Sequence, residues 1–86
     1  MDEAFDEVSA LLQMHGFSAI TDNPTIWQRE LRGAVVTIML DWPHLRAFGT
    51  ANKHDPHMPP VQRSVDLSKQ GYLRRVAAMI VALGDI

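Results

Sequence analysis

Residues 34–42 read Ala34-Val35-Val36-Thr37-Ile38-Met39-Leu40-Asp41-Trp42. The run is rich in β-branched side chains, carries a single charge, and is bounded by Arg32-Gly33 and Pro43. Branched side chains fit a pleated surface better than a helix, so the run predicts a central strand, buried on one face and partly covered on the other. Arg32-Gly33 reads as a two-residue hairpin connection. It pairs Thr25–Leu31 with the central run, so that Leu31 faces Ala34, Arg29 faces Val36 and Trp27 faces Ile38. A second tight turn at Pro43-His44 places Trp42 opposite Leu45, Leu40 opposite Ala47 and Ile38 opposite Gly49. One sheet face then carries Trp27, Leu31, Val36, Ile38, Leu40, Trp42, Leu45 and Ala47. This is the expected core face, with Gly49 leaving room for a helix. A slip of one residue would invert every side chain.

Outward from this sheet, Asp2 to His15 reads as a helix. Phe5, Val8, Leu12 and His15 form one stripe, and early carboxylates suit the helix dipole. Gly16 is the expected residue just past its end. Phe17-Ser18-Ala19-Ile20 leads out to a turn cluster, Thr21-Asp22-Asn23-Pro24. Residues 51–60 hold three prolines within Pro56–Pro60 and read as a loop. Val61 to Leu67 alternates as a fourth, edge strand. Asp66 or Ser68 is the expected cap of a final helix running to about Leu83, with Leu73, Val76, Ile80 and Leu83 as its stripe. Lys69, Arg74 and Arg75 oppose the dipole of that helix, and pairing with the acidic first helix would account for them. The expected fold is α+β: an antiparallel three- to four-stranded sheet with N- and C-terminal helices packed on one face (α-β-β-β-(β)-α). A single domain spans 1–86, with a core of Phe5, Val8, Leu12, Val36, Ile38, Leu40, Leu73, Val76 and Ile80.

Composition narrows the function classes. Eighty-six residues hold one core, and a net charge of −2 gives no global field for nucleic acid. Cysteine is absent, which removes disulfides, thiolate metal sites and a cysteine nucleophile. The acidic start does not resemble a secretory signal, and the longest apolar runs fall short of the ~20 residues that cross a bilayer. A soluble, cytoplasmic protein without membrane contact is expected.

The candidate chemistry is sparse. His54-Asp55-Pro56-His57 supplies imidazole and carboxylate, but His44 is the nearest further ligand, and a metal site needs three or four. His54 and His57 are therefore expected to face solvent without metal, and no cofactor is implied. Asp41, His44 and Ser64 have the letters of a hydrolytic triad but lack a nucleophile elbow. The five glycines are scattered, so no phosphate loop forms. The element order resembles the topology of double-stranded-RNA-binding modules and of small RNase toxins. Those toxins carry Gly-Ser-His on the second strand, where this chain reads Val36-Thr37-Ile38-Met39. The RNA binders need a lysine cluster at the start of the last helix, where Lys69, Arg74 and Arg75 stand. No family follows from topology alone.

The most informative surface is the face opposite the core. The two hairpin registers line up Ile26, Met39 and Phe48 as one transverse apolar row. Gln28, Glu30, Val35, Thr37 and Thr50 lie around it, and Asp41 stands opposite Arg46. An apolar row with a polar rim has the anatomy of a protein contact. The leading expectation is a small non-catalytic protein-binding module. It would act as a dimeric adaptor or an inhibitor, of the kind phages and mobile elements direct at host systems, through Ile26, Met39, Phe48, Arg46 and Asp41. The alternative is a nucleic-acid-binding regulator using Arg46, Lys53, Arg63, Arg74 and Arg75. A metal site in the His54/His57 loop comes third.

Overall fold

The computed structural model describes residues 3–20, 25–41, 44–53, 57 and 59–84. The elements run α1 (Glu3–Met14), β1 (Ser18–Ala19), β2 (Ile26–Leu31), β3 (Ala34–Asp41), β4 (Arg46–Lys53), β5 (Val61–Asp66) and α2 (Tyr72–Gly84). All neighbouring strands are antiparallel, and their order in the sheet is β1-β2-β3-β4-β5. The fold is α+β, as the sequence implies, with five strands in place of three or four. The addition is β1, which pairs Ser18 with Gln28 and Ala19 with Trp27.

The hairpin registers match the sequence reading. Leu31 pairs with Ala34, Arg29 with Val36 and Trp27 with Ile38, and across β3 Ile38 pairs with Gly49 and Leu40 with Ala47. Residues 51–53, read from the sequence as part of a loop, instead continue β4, because the length of β3 gives each of them a partner; the turns differ in detail. Arg32 keeps a negative φ and Gly33 alone is left-handed (φ 87°), the sign pattern of a type II turn and not of a primed one. Trp42 and Pro43, and the 21–24 turn cluster, lie outside the described residues. Leu45 is left-handed at φ 50°, and its carbonyl accepts the Leu67 N–H at 2.7 Å, which fastens the β3–β4 turn to the end of β5.

Alternation sends Val36, Ile38 and Leu40 to one face, where all three are buried. There they join Val8 and Leu12 of α1 and Val76, Met79, Ile80 and Leu83 of α2 in one apolar cluster. Phe5 and Leu73 pack against it half-buried. Each fully buried aliphatic side chain contributes about 1.5–3 kcal/mol. α2 lies over β4 and β5, and α1 packs beside α2. Gly49 makes this approach possible. A Cβ there would lie 2.5 Å from Leu83 Cδ1 and 3.1 Å from both Ile38 Cδ1 and Met79 Sδ.

Both helix ends have identifiable causes. At the end of α1, Gly16 N–H donates to the Gln13 carbonyl (3.0 Å) and Phe17 N–H to the Leu12 carbonyl (2.9 Å). With Gly16 at φ 87° and both Phe17 and Leu12 buried, this is the Schellman stop with its apolar clasp. The start of α2 corrects the sequence reading. Neither Asp66 nor Ser68 caps it: the Asp66 carboxylate instead accepts the Ser68 N–H (2.9 Å) and hydroxyl (2.6 Å), forming a local turn. The helix begins at Tyr72, and the Gly71 carbonyl accepts its first bond from Arg75 N–H at 3.2 Å. The expected ion pairing between helices is also replaced. Tyr72 Oη–H donates to Glu7 Oε2 at 2.7 Å, and among the described side chains neither Arg74 nor Arg75 pairs with an α1 carboxylate.

Two substitutions test this packing in urea melts. Ile38→Ala should cost about 2–5 kcal/mol, and a loss below about 1 kcal/mol would remove Ile38 from the centre of the core. Gly49→Ala should cost about 1–3 kcal/mol, because Leu83 and Ile38, two of the three side chains that the new methyl would meet, are fully buried. An unchanged midpoint for Gly49→Ala would show that α2 does not sit this close to β4.

Candidate functional site

Neither helix covers the second face of the sheet. The Leu40 N–H bond to the Thr25 carbonyl (2.7 Å) fixes which residue pairs exchange hydrogen bonds across β2 and β3. By alternation Ile26 and Met39 form a non-hydrogen-bonded pair, in which side chains lie closest. Met39 pairs in turn with Phe48, and Phe48 with Ser64. The expected row is therefore present, and it is longer than the sequence showed. Ile20 N–H donates to the Ile26 carbonyl at 3.2 Å, which places Ile20 beside Ile26 at the β1 end. Three apolar side chains cross β2, β3 and β4, and Ile20, just past the end of β1, extends the row to four. Ile20, Met39 and Phe48 are 45%, 50% and 38% exposed, and Ile26 is half-buried.

Sequence reasoning missed Ile20. Its signal was the alternation from Phe17, which is buried, to Ile20 on the opposite face. A two-residue strand is too short for that alternation to stand out.

The rows flanking the apolar one differ in character. On one side run Ser18, Gln28, Thr37, Thr50 and Gln62, all uncharged. Within this row Gln28 Nε2–H donates to Thr37 Oγ1 at 3.4 Å. On the other side Arg46 stands between Asp41 and Asp66. Asp41 faces Arg46 in register as expected, and its Oδ2 also meets His44 Nδ1 at 3.0 Å. Ser64 lies on β5, two strands from Asp41 and about 10 Å across the sheet. The letters Asp41, His44 and Ser64 thus do not assemble as a triad.

The basic residues divide between surfaces. By strand parity Arg46 is the only cation among the described strand residues of the open face, and Arg63, at the β5 edge, borders a pocket beside Phe48 as well. Lys53 ends β4 opposite Ala34, and Arg74 is exposed on α2. Arg63 and Arg75 are brought together with Lys69, lining a groove of about 540 Å³ between β5 and α2. His57 is exposed, whereas His54 and Asp55 lie outside the described residues. No helix among the described residues is long and apolar enough to cross a membrane. Compared with known proteins, no family model matches the chain, and no curated protein or solved structure shows significant similarity to it.

Asp66 supplies the one electrostatic handle at this site. The Ser68 hydroxyl and N–H hold its carboxyl below the ordinary value of 3.8, with Lys69 and Arg46 adding to the effect. A carboxylate depressed on folding stabilises the fold above its unfolded pKa, and that contribution disappears as pH falls through the folded value. Asp66→Asn should therefore be less stable than the parent above about pH 5, and the gap should close in acid below 3.8. Urea melts across this range check it. A gap independent of pH would mean that the Ser68 bonds do not depend on the charge.

Proposed function

We propose that this protein is a small non-catalytic protein-binding module whose contact surface is the open sheet face. A second copy of the chain or a different protein would cover it. One observation carries the reading: the exposed row Ile20, Ile26, Met39 and Phe48, set beside an uncharged polar row and away from the helices. Burying such a row removes apolar area from water at about 25 cal/mol per Å². The neighbouring glutamine, threonine and serine side chains carry no charge that would have to be desolvated, and interface cores are likewise depleted in charge. A nucleic-acid surface needs several cations along one track. On this face Arg46 stands between two carboxylates, which favours protein over phosphate. Adaptor and inhibitor roles both follow from occupying a partner's surface without turnover.

Phe48→Asp tests the proposal. Phe48 lies outside the apolar core, so the isolated variant should keep the parent's melting temperature. It should weaken self-association in sedimentation equilibrium, or capture of a partner from the native host's lysate, by at least ~2 kcal/mol, about 30-fold. A variant that unfolds would put this face in the core. A folded variant that associates like the parent would mean that the interface lies elsewhere.

A further inference from the structure

A sheet of five strands has two edges, and here they are unequal. β1 is two residues long, whereas β5 extends for six. The Leu67 N–H bond to the Leu45 carbonyl fixes which backbone groups of β5 face inward. By alternation the groups of Val61, Arg63 and Val65 pair with β4. Those of Gln62, Ser64 and Asp66 point away from the sheet, presenting donors and acceptors at intervals of about 6.8 Å. Beside this edge lies the groove against α2. Val65, Ala78 and Ala82 form part of its walls, and the two alanines, one helical turn apart, keep it open. Arg63, Lys69 and Arg75 line the same groove; among the described residues no salt bridge engages Arg63 or Arg75, and Lys69 acts on the Asp66 carboxylate without forming a close ion pair. The groove's one carboxylate, Asp66, is engaged by Ser68.

We propose that the β5 edge and the groove beside it accept an extended acidic peptide segment as a sixth, antiparallel strand. Backbone pairing to Gln62, Ser64 and Asp66 would supply the register. Acidic side chains on the helix-facing side of the added strand would meet Arg63, Lys69 and Arg75. The charges select the occupant. A second copy pairing β5 to β5 would bring two sets of three cations together, which opposes self-association at this edge. Nucleic acid would satisfy the cations but not the alternating backbone groups, which only another strand matches. This site shares Gln62, Ser64 and Asp66 with the open face but uses their outward backbone groups, so it stands independently of the role assigned to that face.

The probe is a fluorescein-labelled octapeptide alternating glutamate with threonine, followed by fluorescence anisotropy. Saturable binding should fall at least tenfold in R63E/R75E. It should also fall at least tenfold in Ser64→Pro, which removes an outward donor and leaves the β4–β5 ladder intact. Because either variant could disturb folding, the decisive arm changes only the peptide. In an antiparallel added strand, the residues facing the helix side turn their N–H groups away from β5. N-methylation of the threonine amides should therefore abolish binding, and N-methylation of the glutamate amides should leave it within about threefold. Loss with the glutamate set alone would overturn the antiparallel arrangement, since only a parallel strand turns those N–H groups toward β5. Equal binding of both methylated peptides would overturn the proposal, since charge alone would then explain attachment. So would tighter binding of a single-stranded oligonucleotide of equal charge. Absence of saturable binding would also overturn it, leaving the cations as protection of the edge against aggregation.

Discussion

The two registers through β3 hold the rest of the structure in place. β3 is hydrogen-bonded on both sides, so its alternation is imposed on β2 and β4 together. A one-residue slip at Arg32-Gly33 would send Val35, Thr37 and Met39 inward and expose Val36, Ile38 and Leu40. The consequence reaches the helices. Gly49 pairs with Ile38, and the space above it is filled by Leu83 and Met79. If β4 moved with β3, Phe48 would face α2 and the helix could not approach the sheet. The position of α2 is therefore a property of the hairpins as much as of its own apolar stripe.

From that constraint follows the division of labour at the surface. Both helices lie on one face, and α2 sits above β4 and β5. This leaves the opposite face bare and creates a flank where helix and edge strand meet. The bare face is mostly neutral, with an apolar row. The flank gathers three cations from the strand, the 67–71 turn and the helix. Two surfaces of unlike chemistry thus arise from one sheet: alternation separates its faces, and the placement of α2 separates its edges.

Strand faces were legible in the sequence because strict alternation and short turns leave little freedom in register. Ile26, Met39 and Phe48 could be aligned from turn positions alone. What escaped was whatever depends on lone residues or on three-dimensional placement. β1 is too short for a period to show, so Ile20 went unnoticed. The start of α2 was misplaced because Asp66 and Ser68 are valid cap residues that bond to each other, and Gly71 takes the role. Arg63, Lys69 and Arg75 are separated by turns and helix in the chain, and only the orientation of α2 brings them together. The nucleic-acid alternative grouped Arg46 with Arg63 and Arg75 by charge, although the hairpin register already put Arg46 on the open face opposite Asp41, where the structure has it.

The apolar character of the open row is not something the fold demands. Ser64 occupies the same row on β5, next to Phe48, and serves there as a polar residue in an ordinary strand position. The adjacent row is built wholly from serine, threonine and glutamine on the same five strands, so the outer face tolerates polar side chains at every strand. Ile20, Met39 and Phe48 each leave more than a third of their surface to water and do not belong to the buried core. Polar side chains there would leave the hydrogen-bond ladders and Gly49 packing as they are. Isoleucine, methionine and phenylalanine in a line across three strands and the end of β1 thus contribute little to the isolated chain. They are well suited to a surface that another protein completes.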